Sequence, residues 1–390
     1  MTIVATDPVS LAQALIRCES VTPHEAGALT LLQNVLEAAG FACHRMTFSE
    51  AGTADVENLY ARIGNGRPNL CFAGHTDVVP PGDEAAWTVP PFAGEIRGGV
   101  LYGRGAVDMK GAIACFAAAS LRYLRQAGGM PRGSISFLIT GDEEGPSING
   151  THKLLVWLKE RSEPLDACLV GEPSSLASVG DEIKIGRRGS LNGEIVVRGK
   201  QGHAAYPHVA DNPIPKLARI IERLAALKLD EGTKHFEPSH IAVTVISVPN
   251  TATNVIPGQA RALFNVRYND THTRVEVEET IGACCRAAAK EAGADVTVSF
   301  SGTGDVFLTK PGPLVEAVSA AVREVTGQTA RLSTSGGTSD ARFIKDACPV
   351  VELGLVNSTI HQVDERVPVA DLETLTRIYE RFIADYFAAV

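Results

Sequence analysis

The spacing of apolar and polar positions changes character twice along the chain. Over residues 9–16 and 27–39 apolar residues recur at helical intervals, and Gly40 supplies a stop. Residues 69–73 (NLCFA) form a short apolar run between Pro68 and Gly74, the pattern of a strand buried on both faces. A helix is predicted over 112–126, closed by Gly128 and Gly129. Residues 134–140 (SISFLIT) then read as a strand, 150–159 as a helix and 166–170 (DACLV) as a third buried strand. Buried strands separated by helices predict an α/β fold with a largely parallel sheet.

From about residue 189 the period becomes two. Residues 190–198, 241–248, 262–268 and 295–300 alternate apolar and polar, so each strand has one buried and one solvated face. Helices are predicted over 213–227 and 274–292, which makes this stretch an α+β unit with an antiparallel sheet. After residue 302 the βα style returns, with a helix over 314–326, a buried strand over 350–355 and a closing helix over 372–387. The expected organisation is a discontinuous α/β domain, residues 1–188 and 302–390, with residues 189–301 inserted as a second domain.

Composition narrows the class of function. The 390 residues are 45% hydrophobic, enough for a sizeable core. Lys and Arg number 36 against 45 Asp and Glu, a net charge of −9, which argues against a nucleic-acid partner. The first basic residue is Arg17, no apolar run follows a basic start, and residues 112–119 are too short an apolar stretch for a membrane span. A cytoplasmic protein with no membrane partner is expected. The eight cysteines form no C-x-x-C pair and read as reduced core residues.

The candidate chemistry lies just past the predicted strands. His75 and Asp77 follow NLCFAG, Glu143 and Glu144 follow SISFLITGD, Glu172 follows DACLVG, and His361 follows VVELGL after a short loop. In open α/β sheets the crevice beyond the strand ends is where sites form. Gly74, Gly141 and Gly171 beside these residues suggest backbone passing close to a bound group. His, Asp and Glu are metal-ligating types, and no cysteine pair competes for that role. Taken singly, Asp108 before a helix also suits an N-cap, His75 a structural histidine, and Glu143-Glu144 a solvated loop.

The strings GHTDVVP, LYGRGAVDMKG, TGDEEG, VGEPS and NSTIHQVDE occur in this order. With GRRGSLNG, GHAAYPH, NTATNVIPG, FNVRY and STSGGTSDARF, they make nearly the whole chain resemble the co-catalytic zinc aminoacylase and glutamate carboxypeptidase family. The resemblance implies a zinc-peptidase-like α/β/α catalytic domain carrying an inserted α+β lid domain through which a homodimer forms. It implies two Zn²⁺ per subunit, with Co²⁺ able to substitute. Asp108 would bridge the ions, His75 and Glu172 would complete one site, and Glu144 and His361 the other. Glu143 would be the general base, and Asp77 would accept the second ring N–H of His75. His203 would act in the partner subunit's active site. Tyr206, Asn254, Arg187, Arg267, Gly337, Thr338 and Asn357 would contact substrate, the arginines by pairing with its carboxylates. His208 serves a structural role equally well, and Arg188 a sheet surface. The sequence has Asp340-Ala341-Arg342 where the family often has Asp-Gly-Arg, a departure that leaves the ligand positions untouched. The expected substrate is an N-succinyl amino acid. An acetylornithine deacetylase-like deacylase or a small metallo-carboxypeptidase on the same scaffold is the alternative.

Overall fold

The computed structural model describes residues 4–389. In chain order the main elements are α1 (Pro8–Ile16), α2 (Ala28–Ala38), β1 (Ala42–Phe48), β2 (Val56–Ile63), β3 (Asn69–His75), α3 (Lys110–Gln126) and β4 (Ser134–Thr140). There follow α4 (Thr151–Glu160), β5 (Ala167–Val170), β6 (Glu182–Lys184), β7 (Gly189–Arg198), α5 (Pro213–Ala225), β8 (His240–Ser247) and β9 (Gln259–Tyr268). The last are α6 (Arg274–Ala292), β10 (Asp295–Gly304), α7 (Pro313–Thr326), β11 (Arg331–Ser333), β12 (Val350–Glu352) and α8 (Val369–Ala388). Local chemistry fixes several ends. Asp7 caps α1 by accepting from the Val9 N–H, with Pro8 in the first turn. Thr273 and Glu276 form a capping box on α6, which ends at left-handed Gly293.

The chain divides into two compact units. The first comprises Met1–Ile185, Thr309–Ser333 and Ser339–Val390. Its sheet runs β1-β2-β4-β3-β5-β12-β6-β11. The centre is parallel, as the buried apolar runs predicted: β4, β3, β5 and β12 pair in parallel, and every residue of β3 and β4 is buried. The flanks differ from that expectation. β1 and β2 pair antiparallel with each other, β2 antiparallel with β4, and β12 antiparallel with β6. α1, α3, α7 and α8 pack together, while α4 packs on β4. Phe72 of β3 stacks on Phe116 of α3 at 4.4 Å, and Phe116 meets Tyr379 of α8 edge-on at 5.5 Å.

The second unit comprises Gly186–Leu308 and Thr334–Thr338. Its antiparallel sheet runs β8-β9-β7-β10. Leu191, Ile195 and Val197 of β7 and Ala262, Phe264 and Val266 of β9 pack with Leu217, Ile220 and Leu224 of α5 and Val277 and Ile281 of α6. The period-two pattern predicted this one-sided burial. The unit reaches beyond residues 189 and 301 because Gly186 and Arg187 pair with Leu308 and Phe307. It takes in Thr334–Thr338 because Arg187 donates to the carbonyls of Ser335 and Gly337, and Thr334 donates to the carbonyl of His235. Among the described residues no helix is long and apolar enough to cross a membrane.

Candidate metal centre

Three neighbouring parallel strands deliver the central groups. His75 closes β3 in register with Thr140 of β4, and Ala73 of β3 is in register with Val170 of β5. The chain leaving β4 therefore carries Glu143 and Glu144, and the chain leaving β5 carries Glu172, to the crevice where His75 stands. Asp108 arrives from the loop before α3, and His361 from the loop after β12.

These side chains converge. His75 Nε2 lies 3.2 Å from Asp108 Oδ1 and 3.7 Å from Glu172 Oε1. His361 Nε2 lies 2.9 Å from Glu144 Oε1 and 3.4 Å from Asp108 Oδ2. Asp108 thus presents one oxygen to each histidine. Donor atoms of His75, Asp108 and Glu144 lie within 4.8 Å of one another, as do those of His75, Glu143 and Glu172. Glu143 therefore stands among the donors. His361 itself has a left-handed backbone, φ 59°.

The electrostatics are those of buried and half-buried carboxylates short of compensating charge, with His361 at the exposed side. Burial pushes the Glu143 carboxyl up to about 8, against the pull of His75 and helped by Asp340, Glu144 and Asp108. Burial also lifts Glu172 well above the carboxylate range, with Asp108 and Glu143 adding to it. Hydrogen bonds with Asp108 and Glu144 raise His361 to about 10. Burial alone would lower His75, but its bond to Asp108 and the charges of Glu172 and Asp77 outweigh that and raise it. Two imidazoles and a set of crowded carboxylates are the donors that a dication takes, and its charge would relieve the mutual repulsion. The residues present fit such an ion.

Asp77 departs from the expected arrangement. Its backbone carbonyl, 2.9 Å away, is the close partner of His75 Nδ1, and its carboxylate oxygen lies at 3.6 Å. The carboxylate instead accepts the backbone N–H groups of Glu143 at 3.3 Å and Glu144 at 3.0 Å. A carbonyl can only accept, so Nδ1 carries a proton, and Nε2 is the nitrogen turned to the cluster, the one that would give its lone pair to an ion. Burial raises Asp77 to about 6. The glycines also differ from expectation. A Cβ on Gly74 or Gly171 would meet Met109 Cε at 2.4 and 2.7 Å, and one on Gly141 would lie 3.1 Å from the Glu57 carbonyl. They make room for protein packed beneath the site.

The remaining candidates fall into separate groups. Asn357, in the first unit, donates its N–H to the Ser175 carbonyl at 3.0 Å. In the second unit, His203 pairs with Val255, Ala204 donates to the Asn254 carbonyl at 2.8 Å, and the rings of His203 and Tyr206 are 5.7 Å apart. Gly337 accepts from Arg187 at 3.2 Å, and Thr338 follows in the same segment. Arg267 of β9 stands opposite Ser190 of β7 and His240 of β8, with its Nη1 buried and without a hydrogen-bond partner. Burial and the charges of Arg188 and Arg187 lower its pKa. Burial, Arg188 and Arg267 likewise lower His240. Arg188 pairs with the exposed Glu237 at 3.2 Å. His240 escaped the sequence reading because only the strand register sets it against Arg267.

A profile of Peptidase family M20/M25/M40 matches residues 71–385. The chain belongs to this family. The expected family and fold class both stand, and the family's metal dependence agrees with the donor set. Over 98% of its length the chain is 58% identical to the whole of a curated succinyl-diaminopimelate desuccinylase from Bradyrhizobium sp. strain BTAi1. A tripeptidase from Staphylococcus aureus superposes with a TM-score of 0.80 over 100% of both chains at 22% identity. A dinuclear metal binding peptidase of the M20 family from Bacillus subtilis does so with a TM-score of 0.73, over 99% of this chain and 98% of its own, at 17% identity. At such identities these two structures speak for the fold alone.

Proposed function

We propose that the protein is a succinyl-diaminopimelate desuccinylase, hydrolysing N-succinyl-LL-2,6-diaminopimelate to succinate and LL-2,6-diaminopimelate in lysine and cell-wall precursor synthesis. The observation that carries the chemistry is the convergence of His75, Asp108, Glu144, Glu172 and His361, with Glu143 grouped with His75 and Glu172. The substrate follows from the 58% identity over nearly the full length of both chains.

His75, Asp108 and Glu172 would hold one Zn²⁺, and Asp108, Glu144 and His361 a second, with Co²⁺ able to replace them. The ions would supply Lewis acidity and an acidified water. Glu143 stands beside the proposed ligands His75 and Glu172 and is the carboxylate left to exchange a proton. It takes the proton of the attacking water and delivers it to the departing amine, so the amide plus water becomes a carboxylate plus an amine. Asp77 holds the Glu143 and Glu144 amides and thereby the direction of both side chains. His203 donates to the carbonyl oxygen as its charge develops, with Tyr206 and Asn254 beside it. Arg187 and Arg267 would receive substrate carboxylates, and Gly337, Thr338 and Asn357 would be further substrate contacts.

The assembly proposed is a cytoplasmic homodimer. β8 is the edge of its sheet and exposes Val245 and Ile246, 41% and 63% accessible, which suits pairing with a second copy. Sedimentation tests the dimer. Mixing His203→Ala with Glu143→Ala under subunit exchange tests action in the partner's site, where regained activity is expected. The substrate is tested by zinc-loaded turnover of N-succinyl-LL-2,6-diaminopimelate, N-acetylornithine and a dipeptide. Preference for either of the last two would replace this reading by a deacetylase or a peptidase.

A further inference from the structure

Glu365 lies four residues after His361 and is fully buried, 0% exposed. Its two carboxylate oxygens gather four donors. Oε1 accepts the N–H of Val107 at 2.8 Å and that of Asp108 at 3.1 Å. Oε2 accepts the N–H of Gly105 at 3.0 Å and the Arg104 guanidinium at 2.8 Å. Arg104, itself 2% exposed, also donates to the carbonyl of Gln362 at 3.2 Å, next to His361. The main chain adds a bond from the Gly103 N–H to the Glu365 carbonyl at 2.9 Å.

The two segments so joined come from distant parts of the sequence. One ends in Asp108 and the other begins with His361, whose donor atoms stand 3.4 Å apart. We propose that Glu365 is a positioning residue that sets Asp108 against His361 before any ion arrives. This rests on the metal-site reading above. A carboxylate is the group the place demands. Four donors need two acceptor oxygens with free lone pairs, and an amide offers one oxygen and turns two hydrogens toward groups that are already donors. A buried Arg–Glu pair is also weak evidence of stability in itself, because desolvation offsets its attraction. What the carboxylate does add, through its three backbone bonds, is a fixed register between two loops. Outer groups that orient metal-binding side chains typically alter affinity about 10–100-fold when changed.

The test is calorimetric titration of Zn²⁺ and Co²⁺ into chelator-treated protein, with the Co²⁺ absorption bands and the metal-free melting temperature recorded beside it. Wild-type protein is titrated first. If it takes up no divalent ion, the metal-site reading fails and this inference falls with it. Given wild-type binding, Glu365→Gln should weaken affinity about 10–100-fold and alter the Co²⁺ bands. Glu365→Asp, too short to reach both sets of amides, should shift both in the same direction. Arg104→Lys leaves the three backbone bonds of the carboxylate in place and should stay within about threefold of wild type. A lower melting temperature with unchanged affinity and bands in the Glu365 variants would make the residue structural only and overturn the proposal. A measurement on the wild type does not depend on the folding of a variant. The Val107 and Asp108 amides should exchange hydrogen as slowly without metal as with it. Fast exchange confined to the metal-free form would show that the ion orders this loop and would overturn the proposal as well.

Discussion

In the first unit burial crowds carboxylates until Glu143 rises to about 8 and Glu172 well above its range. In the second unit burial crowds guanidinium groups until Arg267 is pushed down. The signs are opposite and the logic is shared: each place holds more like charge than a buried surface tolerates unaided. Elsewhere the chain balances its buried charges, as where Arg104 meets Glu365. The contrast is between a buried charge met by an opposite partner and buried charges of one sign set side by side. Under the proposed function the acidic place would serve cations and proton transfer and the basic place a carboxylate.

The largest expected effect strikes the acidic place. Glu143→Gln should fold and retain its metal yet lose about 10²–10⁴-fold in kcat. Measuring kcat alongside metal content checks this, and near-normal turnover would remove Glu143 from the chemistry. The basic place should show selectivity. Arg267→Ala should lower kcat/KM for the N-succinyl substrate about 10–100-fold, the worth of a charged hydrogen bond, and the N-acetyl analogue less. Equal losses on both substrates would mean that Arg267 does not read the acyl carboxylate.

A third effect, of a few degrees in melting temperature, tests the charge imbalance directly. Glu143 and His361 bind protons more tightly in the folded protein than their ordinary values of 4.5 and 6.5 allow, reaching about 8 and about 10. Their stabilising contributions are complete below the ordinary values and lost as pH rises through the raised ones. The metal-free protein should therefore lose stability between about pH 4.5 and 8 and again between about 6.5 and 10. Thermal melts across that range check it, and the metal-loaded protein should vary less. A metal-free melting temperature that rises over this range would contradict the crowding. The smallest effect belongs to His240, which the neighbouring arginines hold below its ordinary pKa. His240→Gln should change kcat/KM for the N-succinyl substrate by less than about threefold, comparable to a neutral substitution. A large loss would make His240 a substrate contact in its own right.

Much of this was legible in the sequence where local pattern and burial agree. The runs NLCFA, SISFLIT and DACLV are apolar because parallel strands are covered on both faces, and the acids and histidines just beyond them do converge. The antiparallel flank was not legible. β1, ACHRMTF, has an exposed or half-buried residue at every position, so no apolar stripe announces it. Asp77 stands out beside His75 in the sequence, but nothing local says that its carboxylate holds two backbone amides while its carbonyl holds His75. Glu365 looks like any loop acid, because its four donors come from residues some 260 positions away. Such partners follow from topology, which hydrophobic period does not encode.

The left-handed backbone at His361 restricts how this position can change over evolutionary time. Most L residues avoid φ near 59°, whereas Asn, Asp and His enter that region more readily. Glycine would relieve the backbone and leave nothing to bind with. Among residues with a donor atom, Asn, Asp and His meet this turn most readily, and Ser147 and Ser162 show that serine also enters the region in this chain. An exchange to Asp or Asn would pass the conformational filter but shorten the side chain, so of the three residues that suit the turn best histidine has the longest reach.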